Sequence, residues 1–159
     1  MPSLLYQDAY ITCSCIDSTV TLTYQSVEAA GAIGKAQGES WINALTTLQS
    51  IDFQMLRFVL NSSGAHFKEP MEGLYYLNAV AEKLWAFRRQ GIHLQVYCPD
   101  WLYGGMAMVL ASAAHEITLE SHAQMGLFGS KILKTHATTP IPTLDLKPKH
   151  LKLSRLSQG

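Results

Sequence analysis

Met55-Leu-Arg-Phe-Val-Leu60-Asn61-Ser-Ser-Gly64-Ala65 is a short apolar run that stops on a cluster of turn-forming residues. A run this brief, bounded in this way, predicts a buried parallel strand rather than a helix. The glycine at its end lets the backbone approach a ligand with no β-carbon in the way. From Pro70 to about Gln90, apolar residues recur every three or four positions (Leu74, Leu77, Val80, Ala81, Leu84, Phe87), and Gly91 follows as a stop. That spacing predicts a helix. Strand, glycine turn and helix thus follow one another within some 35 residues.

The unit is repeated downstream. Ile92 to Tyr97 reads as a strand, Pro99 to Tyr103 as a loop, and Gly104-Gly105 opens an apolar helix from Met106 to about Ala114. Glu116 to Glu120 reads as a short strand and Met125-Gly-Leu-Phe-Gly129 as a turn. Upstream, Tyr10 to Tyr24 is rich in Ile, Thr, Val and Tyr around Asp17-Ser18, the pattern of strand, turn, strand. The small-residue stretch Glu28 to Gly38 reads as a loop entering a helix from about Glu39 to Gln49. The fold class expected is α/β, a mostly parallel sheet flanked by helices. Residues 1–135 read as one domain, and 136–159, rich in Thr, Pro and Lys, as an irregular basic tail.

Composition excludes several function classes. The 159 residues carry 12 basic and 12 acidic side chains, so net charge favours neither nucleic acid nor an acidic membrane surface. Six of the basic residues, Lys131 to Arg155, fall in the last 29 positions beside one acid, Asp145. Three cysteines, Cys13, Cys15 and Cys98, make no disulfide framework and no zinc ligand set, and fit buried thiols in a reducing compartment. No secretion signal or membrane-length apolar run is read, so the cytoplasm is expected.

The chemistry resides in the two glycine turns. The first amides of a helix lack intrahelical partners and point outward with the positive end of the helix dipole. Two such amides can hold an oxygen that gains negative charge, such as the carbonyl oxygen of a thioester, for a few kcal/mol each. Two separate turns would give a malonyl group one cradle for the carbonyl and another for the carboxylate. Plain turn formation explains glycines at these junctions as well. Among side chains, His66 is a candidate proton donor, Tyr103 a candidate donor to a carbonyl, and Ser62 and Ser63 candidate carboxylate ligands. Lys131 and Lys134 are candidates for phosphate contacts.

Four motifs in order, Gly34-Lys-Ala-Gln-Gly-Glu39, Asn61-Ser-Ser-Gly-Ala-His-Phe-Lys-Glu69, Tyr103-Gly-Gly-Met-Ala107 and Gly126-Leu-Phe-Gly-Ser-Lys131, resemble the carboxyltransferase family of the crotonase superfamily. The likeness covers about Thr21 to Leu133 and is greatest to the β subunits of acetyl-CoA carboxylase carboxyltransferase and malonate decarboxylase. The resemblance implies a crotonase-like spiral of ββα units that acts as a carboxyltransferase or decarboxylase. Its ligand would be a coenzyme A or acyl carrier protein thioester, and no metal would be needed. It implies oxyanion-binding amides at Gly64, Ala65, Gly104, Gly105 and Met106. Ala30, Gly31 and Gly34 would approach the thioester or its nucleotide, and Gly126, Leu127, Phe128 and Gly129 would line the site. An α-type subunit, a second copy of the chain or a carrier protein is the partner implied.

The chain departs from the family pattern in three places. The first turn has one glycine, with His66 where an arginine is usual. No zinc ribbon precedes it, and a Thr/Pro/Lys tail stands where helices usually follow. A non-catalytic docking subunit is therefore the alternative expectation. Enoyl-thioester hydration, which needs paired carboxylates such as Glu69 and Glu72, is another.

Overall fold

The computed structural model describes residues 1–127 and the backbone of Leu151–Lys152. The chain opens with three antiparallel strands, β1 (Ser3–Gln7), β2 (Ile11–Ile16) and β3 (Thr19–Tyr24). Helix α1 (Lys35–Leu48) follows, then β4 (Met55–Leu60), helix α2 (Pro70–Arg89) and β5 (His93–Cys98). The last part holds β6 (Trp101–Tyr103), helix α3 (Gly104–Ala113), β7 (Glu116–Leu119), β8 (Gln124–Gly126) and β9 (Leu151–Lys152). The large sheet runs β1-β2-β3-β4-β5-β7-β9, with β3, β4, β5 and β7 mutually parallel and β9 antiparallel to β7.

A second, smaller parallel layer repeats along the chain. β6 pairs with β8, Ser62 bridges Leu102, and Ile33 bridges Ala65, all in parallel. Each turn of the chain therefore visits the large sheet, then the small layer, then a helix: β3, Ile33, α1; β4, Ser62 to Ala65, α2; β5, β6, α3. This is the spiral of ββα units that the sequence led us to expect. Its core lies between the large sheet and the helices. Trp41 of α1 sits 5.4 Å from the Tyr24 ring and 6.0 Å from Phe58 of β4, all three buried. Burial alternates along β3, β4 and β5, so only one face of the sheet is apolar. On the other face Arg57, Gln95 and Glu116 are joined by side-chain hydrogen bonds.

Three local expectations change. Helix α1 begins at Lys35, not near Glu39, because Gly38 lies inside it. A β-carbon on Gly38 would stand 2.1 Å from Tyr76 Cγ, so glycine is there to let α2 approach. β1, Ser3–Gln7, precedes the stretch from Tyr10 in which strands are expected. Trp101–Tyr103, expected as loop, is a strand because its neighbours in the small layer supply backbone partners.

The cysteines carry no disulfide, and two are fully buried. Burial, with the Asp8 charge, pushes the Cys13 thiol from 9.0 up to about 12; burial pushes Cys98 up to about 11. Both are neutral thiols in the folded chain well past the pH at which the unfolded chain ionises them. A raised folded-state value stabilises the native state below the unfolded value and stops doing so as pH climbs toward the folded one. The urea midpoint is therefore expected to fall as pH rises from about 9 toward 11. A midpoint flat across that window would contradict it. Gly38→Ala gains about 1 kcal/mol of helix propensity but overpacks α1 on α2 at about 1–3 kcal/mol. Equilibrium denaturation should show a net loss of stability.

Candidate functional site

The two glycine turns meet backbone to backbone. A β-carbon on Gly64 would lie 3.0 Å from both Gly104 Cα and Tyr103 O, and 3.1 Å from Gly105 N. One on Gly104 would lie 3.2 Å from Ser63 O and 3.7 Å from Leu127 O. Both residues have positive φ, +94° and +63°, where an L side chain is strained. The turns after β4 and β6 are thus in direct backbone contact with each other.

Their amides divide into used and open. Gly64 N–H donates to Ser62 Oγ at 3.2 Å, so it is removed from the set of oxyanion donors. Ala65 is flanked by pairing bonds, Ile33 N–H to Gly64 O and His66 N–H to Ile33 O, but its own N–H has no partner among the described residues. The same holds for Gly104, Gly105 and Met106 at the start of α3. Met106 is fully buried, whereas Ala65, Gly104 and Gly105 are half-exposed.

The serines expected to meet a carboxylate are engaged elsewhere. Ser62 Oγ donates to Gly31 O at 2.9 Å, and Ser63 Oγ donates to Ala29 O at 2.7 Å. The loop between β3 and α1 is held down in turn: Trp101 Nε1 donates to Ala30 O, and Tyr24 Oη reaches Gly31 O. Gly31 N–H goes to Glu28 O and Gly34 N–H to Gln37 Oε1. Gly31 and Gly34 are accordingly spoken for as donors. They provide room, since β-carbons there would stand 2.4 Å from Asn61 O and 2.1 Å from Glu69 Oε2. The Ala30 to Gly34 loop buttresses the first turn.

His66 is 6% exposed, and its Nδ1 accepts Lys68 N–H at 3.1 Å. That bond leaves the proton on Nε2, with the ring stacked on Phe67. These contacts give it a part in holding the loop before α2. Tyr103 Oη donates to Gln124 Oε1 at 2.6 Å. Gly126 lies in β8 opposite Tyr103, and Leu127 presents its carbonyl to the Gly104 turn. Phe128, Gly129, Lys131 and Lys134 lie outside the described residues. The first turn of α3 offers Met106, Ala107 and Met108, and no carboxylate. The Glu69 carboxylate lies against Gly34 at the start of α1. Among the described residues no group of three His, Cys, Asp or Glu is placed to hold a metal ion.

The sequence reading missed Asn61, Asp100 and His122. Asn61 Nδ2 donates to Asp100 Oδ2 at 3.1 Å, and His122 Nε2 lies 2.9 Å from Asp100 Oδ1. They are 39 and 22 residues apart in sequence, so no local motif could reveal them.

No protein-family model and no curated protein sequence matches the chain. Solved structures do match in shape. The malonate decarboxylase MdcD–MdcE heterodimer of Pseudomonas superposes with a TM-score of 0.73 at 15% identity, over 88% of this chain and 64% of that one. Methylmalonyl-CoA decarboxylase in complex with 2S-carboxypropyl-CoA gives 0.64 at 12% identity, over 77% and 50%. Enoyl-CoA hydratase of Bacillus halodurans gives 0.60 at 11%, over 74% and 52%. The chain thus spans about half to 64% of these proteins' lengths. At such identities the likeness concerns the fold, and the fold is crotonase-like: a mixed α/β spiral on a mostly parallel sheet.

Proposed function

We propose that the chain binds a malonyl-type thioester, of coenzyme A or a carrier protein, and stabilises the enolate formed when its carboxylate leaves. The observation that supports this reading is the contact of Gly64 with the Gly104-Gly105 peptide, and the donors it assigns are the open amides that follow each glycine, Ala65 N–H and Gly105 N–H. In the reaction the bond between the α-carbon and the carboxylate carbon breaks. Its electron pair moves into the thioester carbonyl, whose oxygen becomes negative between the two donors, CO₂ departs, and solvent supplies the proton to the α-carbon. Two fixed donors favour this charge over the neutral carbonyl, which is what accelerates the step. The structural neighbours, malonate and methylmalonyl-CoA decarboxylases among them, support the same class of substrate. Carboxyl transfer is the reverse use of the same enolate.

A second reading, a non-catalytic subunit that serves as a docking partner, is favoured by one feature. Met71, Leu74 and Tyr75 on α2 and Met108 on α3 are 53–73% exposed, an apolar display that suits an α-type subunit or a second copy. Turnover of malonyl-CoA, followed as CO₂ release with the protein alone and with a candidate partner chain, separates the two readings. Thermal shift adds a binding test: malonyl-CoA and acetyl-CoA should raise the melting temperature more than free coenzyme A does. Equal shifts from all three would show that the amides do not hold the acyl group, and no shift with no turnover would remove the thioester reading. Gly64→Ala pushes the turns apart and is expected to lower turnover about a hundredfold, the scale of losing one oxyanion donor. It should also cost about 1–2 kcal/mol of stability from the left-handed φ.

A further inference from the structure

Asn61 follows the last residue of β4 and precedes the first turn by two residues. Its side-chain amide is used in both directions. Oδ1 accepts Asp100 N–H at 2.8 Å and Trp101 N–H at 3.1 Å, while Nδ2 donates to Asp100 Oδ2 at 3.1 Å. Asp100 passes the connection on: its Oδ1 meets His122 Nε2, and its carbonyl accepts Gln124 N–H at 2.9 Å. One side chain therefore joins the end of β4 to the β5–β6 link and, through Asp100, to the β7–β8 link. Beyond it, Ser62 N–H donates to Trp101 O and Tyr103 N–H to Ser62 O, and two residues later Gly64 touches Gly104.

We propose that Asn61 is a positioning residue that sets the offset between the two glycine turns, and with it the spacing of the Ala65 and Gly105 amides. The inference rests on the thioester reading of that cradle, but its physical content is independent of any ligand. β4 has its register fixed by β3 and β5, but the strand that carries the second turn is too short to fix its own against it. β6 has three residues, and its strand pairing with the first turn is a single bridge, Ser62 to Leu102. A slip of one residue moves a strand by about 3.3 Å. Hydrogen bonds tolerate only a few tenths of an ångström, so such a slip would take one donor out of reach of a shared oxygen. The position calls for an acceptor aimed at two backbone N–H groups and a donor aimed at a carboxylate. Of the side chains of this length, only asparagine has both. An aspartate keeps the acceptor and sets a second negative charge against Asp100.

Three variants test this. Asn61→Asp creates the charge conflict. Asn61→Asp combined with Asp100→Asn reverses the polarity of the pair. The introduced carboxylate then accepts both backbone amides and the introduced side-chain N–H, and the new amide oxygen faces His122. Asn61→Ser, too short to span its partners, serves if the first variant does not fold. The readouts are the amide signals of Ala65 and Gly105 in ¹⁵N-labelled protein and the affinity for malonyl-CoA. Asn61→Asp or Asn61→Ser should move both signals and weaken malonyl-CoA binding about tenfold, the coupling expected within one hydrogen-bond network. The reversed pair should return both to wild-type values. Unmoved signals in the single variants, or a reversed pair that melts like wild type yet keeps displaced signals, would overturn the positioning role. If the signals follow the expected pattern while wild type binds no malonyl-CoA, the thioester reading fails and the positioning role stands.

Discussion

The proposed site depends on two stretches of main chain that come into van der Waals contact with no side chain between them. A single methyl group on Gly64 would collide with Gly104 Cα and Tyr103 O, and one on Gly104 with Ser63 O. An open amide follows each glycine, at a strand end on one side and at a helix start on the other. A helix start cannot satisfy its own first N–H groups, so the donors stay available without any polar side chain being placed there. The surroundings are apolar, with Met106, Ala107 and Leu102 buried beneath. Donors in such a setting interact more strongly with a developing charge than they would in open water.

Contact this close must be held from behind, and the segment Asn61 to Ser63 does so with side chains. Asn61 grips the backbone at Asp100 and Trp101, Ser62 reaches Gly31 O, and Ser63 reaches Ala29 O. The Ser62 hydroxyl also accepts Gly64 N–H, which leaves Ala65 N–H as the open amide of the first turn. Three consecutive polar residues on the second turn of the spiral thus bind its first turn, through Ser62 and Ser63, and its third, through Asn61. A buried side-chain hydrogen bond of this kind contributes about 1 kcal/mol net, but losing one partner leaves the other unsatisfied at greater cost. The cluster behaves as a unit for that reason.

Parts of this were legible in the sequence because they rest on local periodicity. The strand Met55–Leu60 and the helix Pro70–Arg89 were readable from an apolar run and a 3.6-residue repeat, and Gly104-Gly105 as a helix start from its place before an apolar stretch. Other parts were hidden. The start of α1 was misplaced because glycine normally ends a helix, whereas Gly38 answers to Tyr76, 38 residues away. The strands β6 and β8 have three residues each, too few for any period, and exist only as a ladder between distant segments. The loop glycines Gly31 and Gly34 also give clearance to Asn61 O and the Glu69 side chain, which no local pattern could show.

By itself, then, the sequence determined the succession of elements and the positions where the backbone is bare of side chains, because helix and strand periods and glycine are local properties of a chain. It did not determine which amides remain open, that the two turns touch backbone to backbone, or that Asn61, Asp100 and His122 form a chain of hydrogen bonds. Those depend on which residues meet across separations of 22 to 40 positions. Such meetings are decided by how the whole spiral packs, since a hydrogen-bond donor is free or engaged only with respect to the partner that folding brings to it.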